Sequence, residues 1–230
     1  MKTSNKLLLA ASLLIFGNLA FYDFELKAEY VKGDYKSRFY GMESTTLNSF
    51  NRIENQAGNV ISLRIEEGPK FAVWMNNLVR DKVAVKVKNN ILYVDYKNRT
   101  RFNNYVPGII ITCPAVNSVT TSSITESDRS WGSAATTVTG FTQDVMNISA
   151  SSAVQIELNK NALGTLNAGT TNSKATLIIH GDNQINTASF NIIGKSELKL
   201  FSIIPNSNYN YTDSAAISLN GKVMRQIQKR

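Results

Sequence analysis

The chain has 230 residues, a mass of 25.4 kDa and a formal net charge of +8. One cysteine and one histidine exclude a disulfide-stapled mini-protein and a Cys/His zinc site. Only 18% of residues are charged, whereas Asn, Ser and Thr together number 66, a mix that favours a turn-rich, strand-built chain over a helical one.

Lys2 and Lys6 precede the run Leu7–Tyr22, LLLAASLLIFGNLAFY, whose one strongly polar member is Asn18. As a helix this run reaches about 24 Å, a little short of a ~30 Å hydrocarbon core. Lys6 can snorkel on one side, and Tyr22 and Phe24 suit the interface on the other. Asn18-Leu19-Ala20 fits a signal-cleavage site poorly, and no cysteine follows for lipid attachment. Residues 1–24 are therefore expected to form an uncleaved transmembrane anchor, with a cleaved signal peptide as the alternative. Either way the rest of the chain is exported. The positive-inside rule puts the N-terminus in the cytoplasm, so the anchored form sits in the inner membrane with its β domain in the periplasm. The cleaved form would be secreted or held at the cell surface. The charged, amphipathic stretch DFELKAEYVKGDYKSR, Asp23–Arg38, reads as a juxtamembrane helix or stalk, and the stalk is expected over residues 25–49.

Residues 50–230 read as strands. Val60–Glu66 and Phe71–Met75 flank a Gly68-Pro69 turn. In KVAVKVK-NN-ILYVDYK, Val83, Val85 and Val87 alternate with Lys82, Lys86 and Lys88 before Asn89-Asn90, a strong hairpin signal. Gly108–Cys113 is a buried-strand run ended by Pro114. Further on, Ile156, Leu177, Leu198 and Leu219 recur every 21 residues. Val154, Ala175, Ser196 and Ile217 form a parallel column, as do Leu158, Ile179, Leu200 and Gly221. The columns between them are polar apart from Ile178. This periodicity predicts an all-β parallel β-helix, or β-solenoid, with coils of about 21 residues after an N-terminal transmembrane helix.

Three features of residues 50–230 resemble the GIN domain, a Bacteroidetes envelope family of unassigned function described as an auto-transporter adhesin head. They are the block LRIEEGPKFAVWM…KVAVKVKNNILYVDY from Leu63 to Tyr96, the segment NISASSAVQIEL from Asn147 to Leu158, and the coils that follow through Leu219. Ala150 and Ser152 stand where the family often has glycine. The resemblance implies an exported β-helical domain and carries over no catalytic residue.

Candidate chemistry is sparse. His180, in Ile179-His180-Gly181-Asp182, reads as a strand-end residue at a turn; a catalytic role would pair it with Asp182, and no nucleophile elbow accompanies it. Glu66 and Glu67 should point to opposite faces of a strand. Glu126 with Asp128, and the outward Glu157 and Glu197, are further carboxylates to weigh for glycosidic chemistry. Cys113 reads as a buried, inert thiol. Lys82, Lys86, Lys88, Arg99 and Arg101 form a basic stripe suited to polyanions. Trp131, in a polar loop, is a sugar-stacking candidate. No catalytic, metal or cofactor site is expected.

Together these features predict a membrane-anchored, adhesin-like binding or structural module of the cell envelope. A carbohydrate-active enzyme on a β-helix, a polysaccharide lyase or hydrolase, is the alternative. The expected partners are the membrane, through the N-terminal helix, and an envelope glycan or lipopolysaccharide. Nucleic acid is not expected, and the oligomeric state stays open.

Overall fold

A computed structural model describes residues 3–33, 36–97, 106–124, 134–171 and 174–227. The chain divides into two compact units, residues 1–42 and 43–230.

The first unit is built on helix α1, Thr3–Lys32. Thirty residues make a helix about 45 Å long, long and apolar enough to cross a membrane. None of its side chains is buried. Its polar side chains turn back on the helix: Ser12 Oγ donates to Leu8 O at 2.9 Å and Asn18 Nδ2 to Leu14 O at 2.8 Å. Such back-bonding satisfies polar atoms where water is scarce. The helix continues without a break from the apolar run into the charged segment and ends eleven residues before the first strand, at Glu43.

The second unit holds seventeen strands and two short helices among the described residues. The first four strands are β1 (Glu43–Thr46), β2 (Arg52–Asn55), β3 (Ile61–Glu67) and β4 (Ala72–Met75). Helix α2 (Asn77–Arg80) is capped by Asn76, whose side chain accepts from Val79 N at 3.1 Å. After it come β5 (Val83–Lys88), β6 (Ile91–Tyr96), β7 (Val106–Cys113), β8 (Ser118–Ser122) and β9 (Thr136–Thr139). The C-terminal half holds β10 (Thr142–Ser151), β11 (Gln155–Asn159), β12 (Ala162–Thr170), β13 (Thr176–Ile179), β14 (Gln184–Ile192), β15 (Glu197–Leu200), β16 (Asn206–Tyr211), β17 (Ala216–Leu219) and helix α3 (Gly221–Ile227).

These strands form two open, mixed, mostly parallel sheets. One has nine strands in the order β1-β4-β7-β3-β9-β11-β13-β15-β17, the other eight in the order β16-β14-β12-β10-β8-β2-β6-β5. Inward residues of both sheets share one hydrophobic core. Ile156, Leu158, Leu177, Ile179, Leu198 and Leu200 come from the nine-stranded sheet; Ile148, Leu166, Ala188 and Phe190 come from the eight-stranded sheet.

The expected all-β solenoid of constant coils is therefore corrected to a mixed α/β chain with two large mixed sheets. Three observations overturn it. The pairings β1–β4, β4–β7 and β5–β6 are antiparallel. The strand order is also not sequential, since β2 lies between β6 and β8, and β3 between β7 and β9. Thirdly, the spacing is not constant. Ile156 faces Leu177 and Leu177 faces Leu198, but Leu198 then faces Ile217, and Leu200 faces Leu219. The sequence columns ending Leu198–Leu219, Ser196–Ile217 and Leu200–Gly221 are thus displaced by two residues. The physical reason is the period of a strand: a slip of two residues keeps every side chain on its face, so burial does not police it.

The hairpin forms where the Asn89-Asn90 pair predicts it, with Val83 opposite Tyr96 and Lys88 opposite Ile91. Both asparagines have positive φ, 53° and 60°, as a tight two-residue hairpin turn requires.

Candidate binding face

The three lysines of the expected basic stripe lie at one edge of the eight-stranded sheet. Lys86 and Lys88 are exposed on edge strand β5, and Lys82, also exposed, stands just before it. Lysines there also discourage pairing with foreign strands. Arg99, Arg101 and Trp131 lie outside the described residues.

Lateral register carries the stripe inward across the sheet. Lys88 is opposite Ile91, Ile91 beside Arg52, Arg52 beside Ser118, and Ser118 beside Asn147. Two residues along, Lys86, Tyr93, Glu54, Thr120 and Ser149 form a second row. Lys86 Nζ lies 5.8 Å from the Tyr93 ring centroid, within cation–π range. The face is outward because its residues alternate with the buried Ile53, Leu92, Val94 and Val119.

A cavity of about 400 Å³ opens on this face, lined by Asn51, Arg52, Glu54, Ser118, Thr120 and Asn147 among others. Beyond it the surface is an amide ladder: Asn147 Nδ2 donates to Asn117 O and Asn167 Nδ2 to Asn147 Oδ1, each at 3.0 Å. Asn210 Nδ2 donates to Asn191 Oδ1 at 2.8 Å. Arg52, Glu54 and Tyr93 escaped the sequence reading because parallel pairing brings them to Lys86 from distant parts of the chain. The available signal was the alternation of Arg52 and Glu54 with Ile53 and Asn55.

A larger cavity, about 610 Å³, lies near the β17 end of the nine-stranded sheet, lined by Gly181, Phe201, Ile203, Asn220, Lys222 and Arg225 among others. Lys82, Lys86 and Lys88 do not line it.

The remaining candidates among the described residues are dispersed along the nine-stranded sheet and its strand ends. His180 Nε2 lies 3.2 Å from Glu157 Oε2, so its partner is Glu157 rather than Asp182. Glu157 also accepts from Gln155 Nε2 at 2.5 Å. Glu197 pairs with Lys199 Nζ at 3.3 Å, and Glu66 with Arg64. Glu66 is buried and Glu67 exposed, so the two diverge. Glu126 and Asp128 lie outside the described residues. No group of three or more His, Cys, Asp or Glu suited to a metal occurs among the described residues. Cys113 is buried, and burial, with a smaller contribution from the Glu67 charge, pushes its thiol up to about 12.

No protein-family model and no curated protein sequence matches this chain. Solved structures do. A candidate adhesin from Bacteroides fragilis NCTC 9343 aligns over 78% of this chain and 96% of its own, with a TM-score of 0.54 and 12% identity. The likeness is one of fold. A candidate adhesin from Parabacteroides merdae ATCC 43184 covers 78% and 95% at 11% identity, with a TM-score of 0.38. A candidate lipid-binding protein from Parabacteroides distasonis ATCC 8503 covers 78% and 94% at 13% identity, with a TM-score of 0.37.

Proposed function

We propose that the chain is an exported, membrane-tethered binding module of the cell envelope, adhesin-like in action and without catalysis of its own. The observation that carries this reading is α1. Its apolar side chains are exposed, Leu8, Phe16 and Phe24 each by 70% or more. In water such a helix would be costly, whereas a bilayer supplies what its side chains need. The likeness of fold to a candidate Bacteroides adhesin and the GIN resemblance of Leu63–Tyr96 support the envelope setting.

The outer surface supports binding over catalysis. Glycoside hydrolysis needs two carboxyl groups facing one sugar. Glu66, Glu157 and Glu197 are instead each engaged with a separate cation or imidazole. By the positive-inside rule Lys2 and Lys6 stay in the cytoplasm and the sheets stand in the periplasm.

Fractionation of cells expressing the full chain, with protease added to spheroplasts, tests the placement. The expected outcome is an inner-membrane protein whose sheet unit is digested only from the outside. A mature N-terminus near Phe21 would replace the anchor with a cleaved signal. Activity is tested by incubating the full chain with plant and bacterial polysaccharides, and release of new reducing ends or unsaturated products would overturn the non-catalytic reading.

A further inference from the structure

The cavity on the eight-stranded sheet has a defined shape. On β8 the outward side chains are the short Ser118 and Thr120, flanked by the longer Arg52 and Glu54 on β2 and by Asn147 on β10. The result is a furrow along β8 about 10 Å across, two interstrand spacings, wide enough for one pyranose ring. Among the described residues neither the Arg52 nor the Glu54 side chain makes a hydrogen bond or ion pair. The Tyr93 ring stands one strand beyond Glu54, with Lys86 beside it.

We propose that this furrow binds an acidic saccharide, a glycan containing uronate residues. This rests on the binding-module reading above and names its ligand. Arg52 takes the sugar carboxylate, for which its planar fork of donors is matched. Glu54 and the Asn51, Ser118 and Thr120 side chains meet ring hydroxyls, and Tyr93 presents an aromatic edge or face to the apolar side of a neighbouring ring. Lys86 and Lys88 add positive field, so that three cations oppose Glu54 and Asp95 on this part of the face. Charge selects an anion. The hydroxyl and amide lining, with no exposed large apolar side chain in the furrow, favours a sugar over an acyl surface.

The test uses the full chain in nanodiscs of phosphatidylcholine, with tetragalacturonate and its fully methyl-esterified form as probes in calorimetry. Wild type should bind the acid and lose about tenfold or more on esterification, as for removal of a charge-assisted hydrogen-bonded pair. Arg52→Ala should lose a similar factor while the circular dichroism spectrum stays unchanged, and Arg52→Lys should recover only part of it. Tyr93→Ala should weaken both probes. No binding of tetragalacturonate by wild type, or equal binding by Arg52→Ala, would overturn the proposal. A glycan array separates this from the broader reading: binding to other glycans that ignores Arg52→Ala removes the furrow and leaves the module, and no glycan binding at all removes both. Arg52-dependent binding to phosphatidylglycerol nanodiscs in place of tetragalacturonate would overturn the sugar in favour of a lipid surface.

Discussion

Asn161 donates from Nδ2 to Asn183 Oδ1 at 3.0 Å, and both side chains are buried. The pair ties successive turns of the chain together. Asn161 Nδ2 also reaches Val138 O at 3.1 Å, and Asn161 Oδ1 accepts from Phe141 N at 3.1 Å. Asn183 Nδ2 donates to Leu158 O and to His180 O, each at 2.7 Å. The amides thus satisfy backbone groups at corners where no ladder partner is available. Asn161→Ala or Asn183→Ala would leave several buried polar atoms unmet, and each is expected to cost about 2–4 kcal/mol. Urea melts of the full chain in detergent check this. A loss below about 1 kcal/mol for both would mean that water replaces the amides without penalty.

The inward columns make a second prediction. Leu177 and Leu198 are neighbours in β13 and β15 and are fully buried. Leu177→Asp or Leu198→Asp puts an unpaired carboxylate among apolar side chains and should cost about 4 kcal/mol or more. Thr176 is outward, beside Glu197 and Gln155. Thr176→Lys should therefore stay within about 0.5 kcal/mol of wild type. Equal losses in denaturant melts would mean that the assigned faces are wrong.

These residues also show what was legible in the sequence. Alternation around Leu177 and the Asn89-Asn90 turn are local signals, so inward faces and the hairpin were readable. The position of β2 between β6 and β8 was not, because no local pattern says which distant strand will be a neighbour. The two-residue slip at Leu198–Ile217 was hidden by the same period that made the faces readable. No local pattern says that the Asn161 and Asn183 side chains point inward, and only the structure reveals it. The candidate face was half legible: Lys86 and Lys88 advertise themselves, whereas Arg52 and Tyr93 join them only through register.

Gly58 should tolerate no side chain. A Cβ there would lie 2.1 Å from Thr121 Cγ2 and 3.3 Å from Val154 Cγ1, while Gly58 N is held by Ser122 O at 2.8 Å. Thr121 cannot readily swing away, because its hydroxyl donates to Thr136 Oγ1 at 3.1 Å in a buried site. Gly58→Ala is expected to cost about 1–3 kcal/mol by overpacking. Adding Thr121→Ser removes the clashing methyl, keeps the hydroxyl and should restore part of that loss. Gly108→Ala, which meets nothing within 4 Å, serves as the control. Thermal melts in which the double variant is no better than Gly58→Ala would point to backbone strain instead of the methyl clash.

Cys113 gives the chain a pH dependence whose sign follows from its burial. Its thiol ordinarily titrates at 9.0 and is pushed up to about 12 in the folded state, first by desolvation and then by the Glu67 charge. Below pH 9 the thiol is protonated both folded and unfolded, and the stability it contributes is fully present. Between pH 9 and about 12 the unfolded thiol ionises while the folded one keeps its proton, so stability falls as pH rises. The slope from this one group approaches about 1.4 kcal/mol per pH unit. Urea melts of wild type and Cys113→Ala at pH 8, 9, 10 and 11 isolate it. The alanine variant should begin less stable, from the lost sulfur contacts, and then lose stability less steeply above pH 9. Over the same range the native thiol should resist iodoacetamide until the protein unfolds, because the thiolate is the nucleophile and it scarcely forms in this site. Parallel pH slopes for the two proteins, together with ready alkylation of the native chain at pH 9, would show that the thiol is reached by water and that the β7 core is open.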